Sequence, residues 1–320
     1  MKRCLTISVV AIALVLLFTK ESVGDTVTVP ITTIGSALAV DSSGDVYLAD
    51  ANADSIFVFG PGATGRAKPI RTIAGPRTLL AFPRGLALDD HANLWVDCAR
   101  SRTILEFPGT GDGNIPPSRS IAGTLTSLNT PVGLAFDSGH NLYVTDGPPD
   151  RILEFGADAT GNAVPLRTVA GVRADLSEVS GIAVNATGDM FVTNGFADSI
   201  SVFPPQASDD AAPLYVIRPP NGGLGWLDYP TALSLDAQEN LYVANMFGDS
   251  VSIYGRGAQG TQSPLRMIHG DRTHLNSPNA LAIDSTGNLY VANGEARSVL
   301  VFGPGSSGDV APIREIDTGG

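Results

Sequence analysis

Asp50, Asp146, Asn194, Asn245 and Asn293 occupy one position of a recurring pattern, and Cys98 fills that position in the remaining copy. A ring of carboxylate and amide oxygens is the donor set of a hard cation such as Ca2+. The same residue types also close turns by bonding nearby backbone. A cation needs one set of ligands, whereas a turn needs one such residue in every copy, so the repetition favours the turn. No metal or other cofactor is assigned on this basis. If Ca2+ were held here, Asp50, Asp146 and Asn293 are the positions that would supply it.

Other chemistry finds less support. His91 and His140 fall in one set of turns, while His269 and His274 fall at or after the last strand of one repeat, at the opposite end. The four do not converge on one metal. No Gly-x-Ser-x-Gly elbow is present for a serine nucleophile. Gly60 to Gly65 and Gly303 to Gly308 match G-x-G-x-x-G, but that fingerprint works only where a helix N-terminus follows. Here strands starting near Pro69 and Pro312 follow, so both matches are hairpin loops. Glu106 and Glu154 hold equivalent positions in successive copies and are expected to pair with arginines at the outer rim.

The frame behind these positions is a repeat. Asp284 to Asn293, DSTGNLYVAN, has five counterparts, starting at Asp41, Asp89, Asp137, Asn185 and Asp236, spaced 48, 48, 48, 51 and 48 residues apart. A period of about 40–50 residues rich in short strands signals a closed array of sheets. Four strands, A to D, fit each copy. Asp or Asn four residues past the anchor makes an A–B hairpin turn, with Gly44, Gly188 and Gly287 as the left-handed residue. Where Ala92, His140 and Glu239 stand instead, the neighbouring Asn is expected to take that conformation.

Two positions before each anchor the residue is small (Ala39, Ala87, Ala135, Ala183, Ser234, Ala282), which suits an innermost strand A crowded about an axis. Strand B is apolar on consecutive positions, implying burial on both faces. Aromatics recur six and eighteen residues past the anchor, from Tyr47 and Phe59 to Tyr290 and Phe302, enough to fill wedges between sheets. A proline then opens strand D, followed in most copies by Arg, as at Arg71 and Arg314; such a strand resists edge-to-edge pairing and marks the rim. The pattern is that of an all-β, six-bladed β-propeller with four antiparallel strands per blade. Copies lie near 36–75, 84–123, 132–171, 180–217, 231–270 and 279–317. Residues 26–34 imitate a rim strand, yet only Gly35 and Ser36 precede the first A strand. Crossing from rim to axis covers ~14 Å, so residues 311–317, and not this segment, are expected to complete the last blade, and Thr32 is not expected beside Tyr254.

The pattern P-x-G-L-A-x-D…N-L-Y-V-x-[DN]…[IV]-x-x-F resembles the repeats of NHL-type and YVTN-type propellers over residues 36–317. The resemblance extends distantly to gluconolactonase-like and virginiamycin-lyase-like propellers. It therefore implies either a pure binding domain or an enzyme, since such repeats specify fold better than function. Lactonase-like relatives hold a divalent cation near the channel mouth on Glu, Asn and Asp. Histidine centres like those of the lyases have no counterpart here, because the four histidines are split between two ends.

Lys2 and Arg3 precede an apolar run from Leu5 to Phe18, and Ser22-Val23-Gly24 offers a cleavage site, so residues 1–24 read as a signal peptide and 25–320 as one domain. The alternative is an uncleaved anchor. Lys and Arg number 20 against 32 Asp and Glu, net −12; without Lys2, Arg3, Lys20 and Glu21 the counts are 17 and 31, net −14. So acidic a protein is a poor match for nucleic acid or anionic membrane. A secreted or periplasmic monomer is expected. Cys98, the one cysteine past the leader, reads as a buried thiol.

The B–C and D–A loops share one end of the propeller, and one sector of it is unusually apolar. Phe196, Met246 and Phe247 stand where other copies have small or polar residues. The one lengthened connection, Pro219 to Pro230, adds Trp226 and Tyr229 beside them. These five, with Asn194 and Asn245 for polar contacts, form the expected ligand site, although Trp226 folding back as a lid on the seam between blades 4 and 5 is equally open. The expected function is non-catalytic binding of a protein, peptide or glycan on this face. The alternative is a metal-dependent lactonase- or lyase-like enzyme using the same face.

Overall fold

The computed structural model describes residues 35–220 and 225–318. The expected leader and the segment containing Thr32 lie outside them. Six four-stranded antiparallel sheets form, each from four consecutive strands. In the first, β1 (Gly35–Val40), β2 (Val46–Asp50), β3 (Ser55–Phe59) and β4 (Arg71–Ala74) lie side by side in chain order. The last sheet ends on β24 (Arg314–Asp317), which pairs with the strand Ser298–Phe302, so residues near the C-terminus complete their own blade. The expected fold, an all-β six-bladed propeller, is the one observed.

The anchors make the A–B turns. In every blade the anchor side-chain oxygen accepts backbone N–H groups two and four residues on, as at Asp41 (Ser43 and Asp45, both 2.9 Å) and Asp236 (Gln238 2.9 Å, Asn240 2.8 Å). One expectation fails here. Ala92, His140 and Glu239 themselves take the left-handed conformation, with φ of 61°, 63° and 60°, and the following Asn does not. Two charge-assisted bonds fix each turn, and they offset the cost of a Cβ at positive φ.

The aromatics fill the wedges between blades as expected: Tyr47, Tyr143, Tyr290, Phe107, Phe155 and Phe302 are fully buried. At ~25 cal/mol per Å2 and ~150–250 Å2 a ring, each contributes several kcal/mol before entropy is deducted. Rim arginines close over them. Arg119 pairs with Glu106 at 2.7 Å and lies 4.5 Å from the Trp95 ring centre, and Arg167 pairs with Glu154 at 2.5 Å. Neighbouring blades are also stapled by backbone. Each C–D loop bridges the outer strand of the preceding blade, and Gly65 with Ile316 makes the staple that closes blade 6 onto blade 1.

Candidate functional site

Strand A carries a register irregularity near its start in every blade, and in most blades it skips a single residue. A bulge re-aims a side chain out of the ladder. The residues concerned are Ser36, Arg84, Val132, Ser180, Thr231 and Asn279, and all six line one cavity of about 700 Å3 at the mouth of the central channel, on the B–C/D–A end. These positions lie five residues before each anchor and carry five residue types in six copies. Sequence reasoning missed them. The signal was there: a variable position inside an otherwise constant repeat.

Residues just before strand A form a second tier. Phe82, Glu178 and Tyr229 adopt φ of 58°, 52° and 53°, which turns them toward the mouth. An Asp from the preceding blade holds each in place: Asp54 accepts Phe82 N–H at 2.6 Å, Asp150 accepts Glu178 N–H at 3.0 Å, and Asp198 accepts Tyr229 N–H at 2.8 Å. The Tyr229 hydroxyl donates to Glu178 Oε1 at 2.5 Å. Burial, then the Glu178 carboxylate, raises the Tyr229 pKa, so the phenol stays protonated and donating. Glu178 Oε2 and Asn279 Oδ1 have no hydrogen-bond partner. Arg84 is exposed into the cavity and has no ion pair among the described residues.

Of the expected sector, Tyr229, Phe196 and Met246 line the cavity. Phe196 and Phe247 are 74% and 64% exposed, and the Tyr229 ring lies between them, 6.0 Å from Phe196 and 4.5 Å from Phe247. Trp226 is not with them. It is half-buried against the core of blades 4 and 5, and its carbonyl accepts from Asn245 Nδ2 at 3.2 Å and from Ser252 Oγ. It closes the seam.

The Asp/Asn ring lies beneath the mouth, fully out of solvent. Asp50 caps its own turn, accepting from Asn52 and Ala53 N–H. The others reach across to the D–A connection. Asp146 accepts from Asn129 (2.9 Å) and Thr130 (2.7 Å) N–H and pairs with Arg151 at 2.6 Å. Asn194 accepts from Ser177 N–H and donates to Ser201 Oγ, and Asn293 accepts from Asn276 N–H at 2.6 Å. Asn194 thus spends its amide inside the blade, and Asn245 donates its Nδ2 there to Ser250 and Ser252 while its buried Oδ1 has no partner. Cys98 is buried among them, and desolvation pushes its thiol up to about 12.

One step inward, the residue before the ring divides the propeller in two. Blades 1, 5 and 6 pair Ala with Ala across strands A and B (Ala37–Ala49, Ala232–Ala244, Ala280–Ala292). Blades 2, 3 and 4 place Gly on strand A and a polar residue on strand B: Gly85 with Asp97, Gly133 with Thr145, Gly181 with Thr193. Asp97 Oδ1 accepts from Gly85 N–H at 2.9 Å, its Oδ2 has no partner, and burial raises its pKa to about 7.

No family model matches the chain, and neither does any curated protein. Solved structures do. A streptogramin B lyase is 14% identical with a TM-score of 0.59, covering 87% of this chain and 82% of its own. The shared feature is the fold. A gluconolactonase from Xanthomonas campestris is 15% identical at TM-score 0.56, over 82% of this chain and 84% of its own. The β-propeller domain of Cps50 (Swd1) from Myceliophteria thermophila is 10% identical at 0.59, over 89% and 86%. The neighbours thus include the two kinds of propeller enzyme that the repeats resemble, alongside a propeller domain of another kind.

Proposed function

We propose that this chain is an exported, non-catalytic binding propeller whose channel mouth receives a peptide segment or chain end of a partner protein. The observation that carries the reading is the composition of the mouth. Six bulged residues, one per blade and the cation Arg84 among them, surround a cavity of about 700 Å3 that also has an apolar wall of Phe82, Phe196, Tyr229 and Met246. That volume falls within the ~300–1,000 Å3 of small-ligand sites, which are mostly apolar with a few placed polar groups. A peptide offers the complement: an apolar side chain, amide groups for Ser36, Ser180, Thr231 and Asn279, and a carboxylate for Arg84. A glycan fits less well, because the Tyr229 hydroxyl is already spent on Glu178.

The enzymatic alternative draws support from the unpartnered oxygens of Glu178 and Asn279 on the cavity wall. Ca2+ takes about 6–8 oxygens, and the second carboxylate on the wall, Asp150, gives both of its oxygens to Glu178 and Val179 N–H. The donor set falls short of a cation site of the lactonase kind. Panning a random peptide library against the protein, beside a glycan array, tests the proposal. Peptide enrichment that is lost in the Phe196→Ser protein supports it. Exclusive glycan binding, or turnover of gluconolactone, overturns it.

A further inference from the structure

At the other end of the propeller, the A–B turns of blades 2 and 3 bring two imidazoles to one carboxylate. Asp90 Oδ1 lies 2.7 Å from His91 Nδ1 and 3.6 Å from His140 Nδ1. His91 sits two residues past its anchor and His140 three past the next, so the contact spans the blade 2/3 seam. We propose that Asp90, His91 and His140 form a site for a borderline divalent transition metal, of the Zn2+ class, joining the turns of these two blades.

Two imidazole nitrogens and a carboxylate are the ligands such ions prefer, and oxygen-seeking Ca2+ or Mg2+ does not. Ligands at ~2.0–2.1 Å from a metal lie ~2.9–3.4 Å from one another in octahedral or tetrahedral geometry, so the two imidazoles, 2.7 and 3.6 Å from one Asp90 oxygen, must rotate to converge on a shared ion. The side chains of Asp90, His91 and His140 are 54%, 78% and 53% exposed, which leaves the rings free to turn toward a shared ion and leaves room for solvent ligands. Asp89 lies within 4.8 Å of the Asp90 and His91 ligand atoms, but it does not supply one. Its oxygens already accept from His91 N–H, Asn93 N–H, Asn93 Nδ2 and Trp95 Nε1. It instead fixes the backbone on which His91 stands, as the second shell of a metal site does.

Isothermal titration of the metal-stripped protein with ZnCl2, and separately with CaCl2, tests this. One Zn2+ is expected to bind in the micromolar range or tighter, with at least a tenfold loss in each of His91→Ala and His140→Ala and none in His269→Ala. Ca2+ is expected to show no binding that these histidine variants alter. The variants should fold, since both positions are exposed and Ala92 already holds the left-handed turn conformation that His140 adopts. A Zn2+-induced rise in melting temperature should disappear with the binding. Zn2+ affinity no better than millimolar, or affinity unchanged by His140→Ala, overturns the two-blade site.

Discussion

A Cβ built on Gly85 would lie 2.1 Å from Asp97 Oδ2. Glycine is required there because a buried carboxylate takes the space that alanine fills in blades 1, 5 and 6. With burial raising its pKa from 3.8 to about 7, Asp97 favours the protonated state in the fold. A raised folded pKa means stability is fullest below the unfolded value and is lost as pH rises through the folded one. The loss between pH 4 and 8 is on the order of 4 kcal/mol. Asp97→Asn should remove this dependence: urea midpoints of variant and wild type should diverge in the variant's favour from pH 5 to pH 8. Parallel profiles would mean that Asp97 is ionised in the fold at little cost.

The Asp146 carboxylate holds the D–A connection and Arg151 together with no solvent access. Asp146→Ala leaves two N–H groups and a guanidinium without their acceptor, at an expected cost of about 3–5 kcal/mol in denaturant unfolding. A loss below 1 kcal/mol would show that the ring is not what closes that loop.

The aromatic sector separates into two kinds of residue. Trp226→Ala should lower stability by about 2–4 kcal/mol, because the ring covers the seam between blades 4 and 5. Phe196→Ala, at an exposed ring, should move it by less than about 0.5 kcal/mol. Equal melting-temperature shifts would refute the separation.

Cys98 should resist an aqueous thiol reagent in the native state, since the thiol is buried and its pKa is raised to about 12. Labelling is expected only on the timescale of unfolding. Stoichiometric reaction within seconds would contradict the packing.

Much of the fold was legible because each blade repeats the same physical requirements. Anchor, aromatic and proline positions recur at fixed spacing, and each has one structural task. The mouth was legible only in part. Phe196, Met246 and Tyr229 stood out as departures in size, whereas Arg84 and Asn279 did not, because the bulge that turns them inward leaves no mark on hydrophobic periodicity. Trp226 was ambiguous for a plain reason: a large ring on a long loop can cover a seam or a ligand, and loop composition does not say which. The Asp/Asn ring was read as turn caps, and for Asp146, Asn194 and Asn293 the capped backbone proves to be the D–A connection. Their partners lie some 17 residues back in the chain, beyond the reach of local turn rules.

Under the proposed function, the mouth binds a peptide through Arg84. Fluorescence anisotropy tests it most directly, using a panel of N-fluorescein tetrapeptides that end in each apolar residue, every one prepared as free acid and as amide. Members of the free-acid set should bind wild type at least tenfold more tightly than their amides, and Arg84→Ala should erase that difference while leaving the melting temperature unchanged. Binding that ignores both the terminal carboxylate and Arg84, or no binding by any member of the panel, would contradict the account.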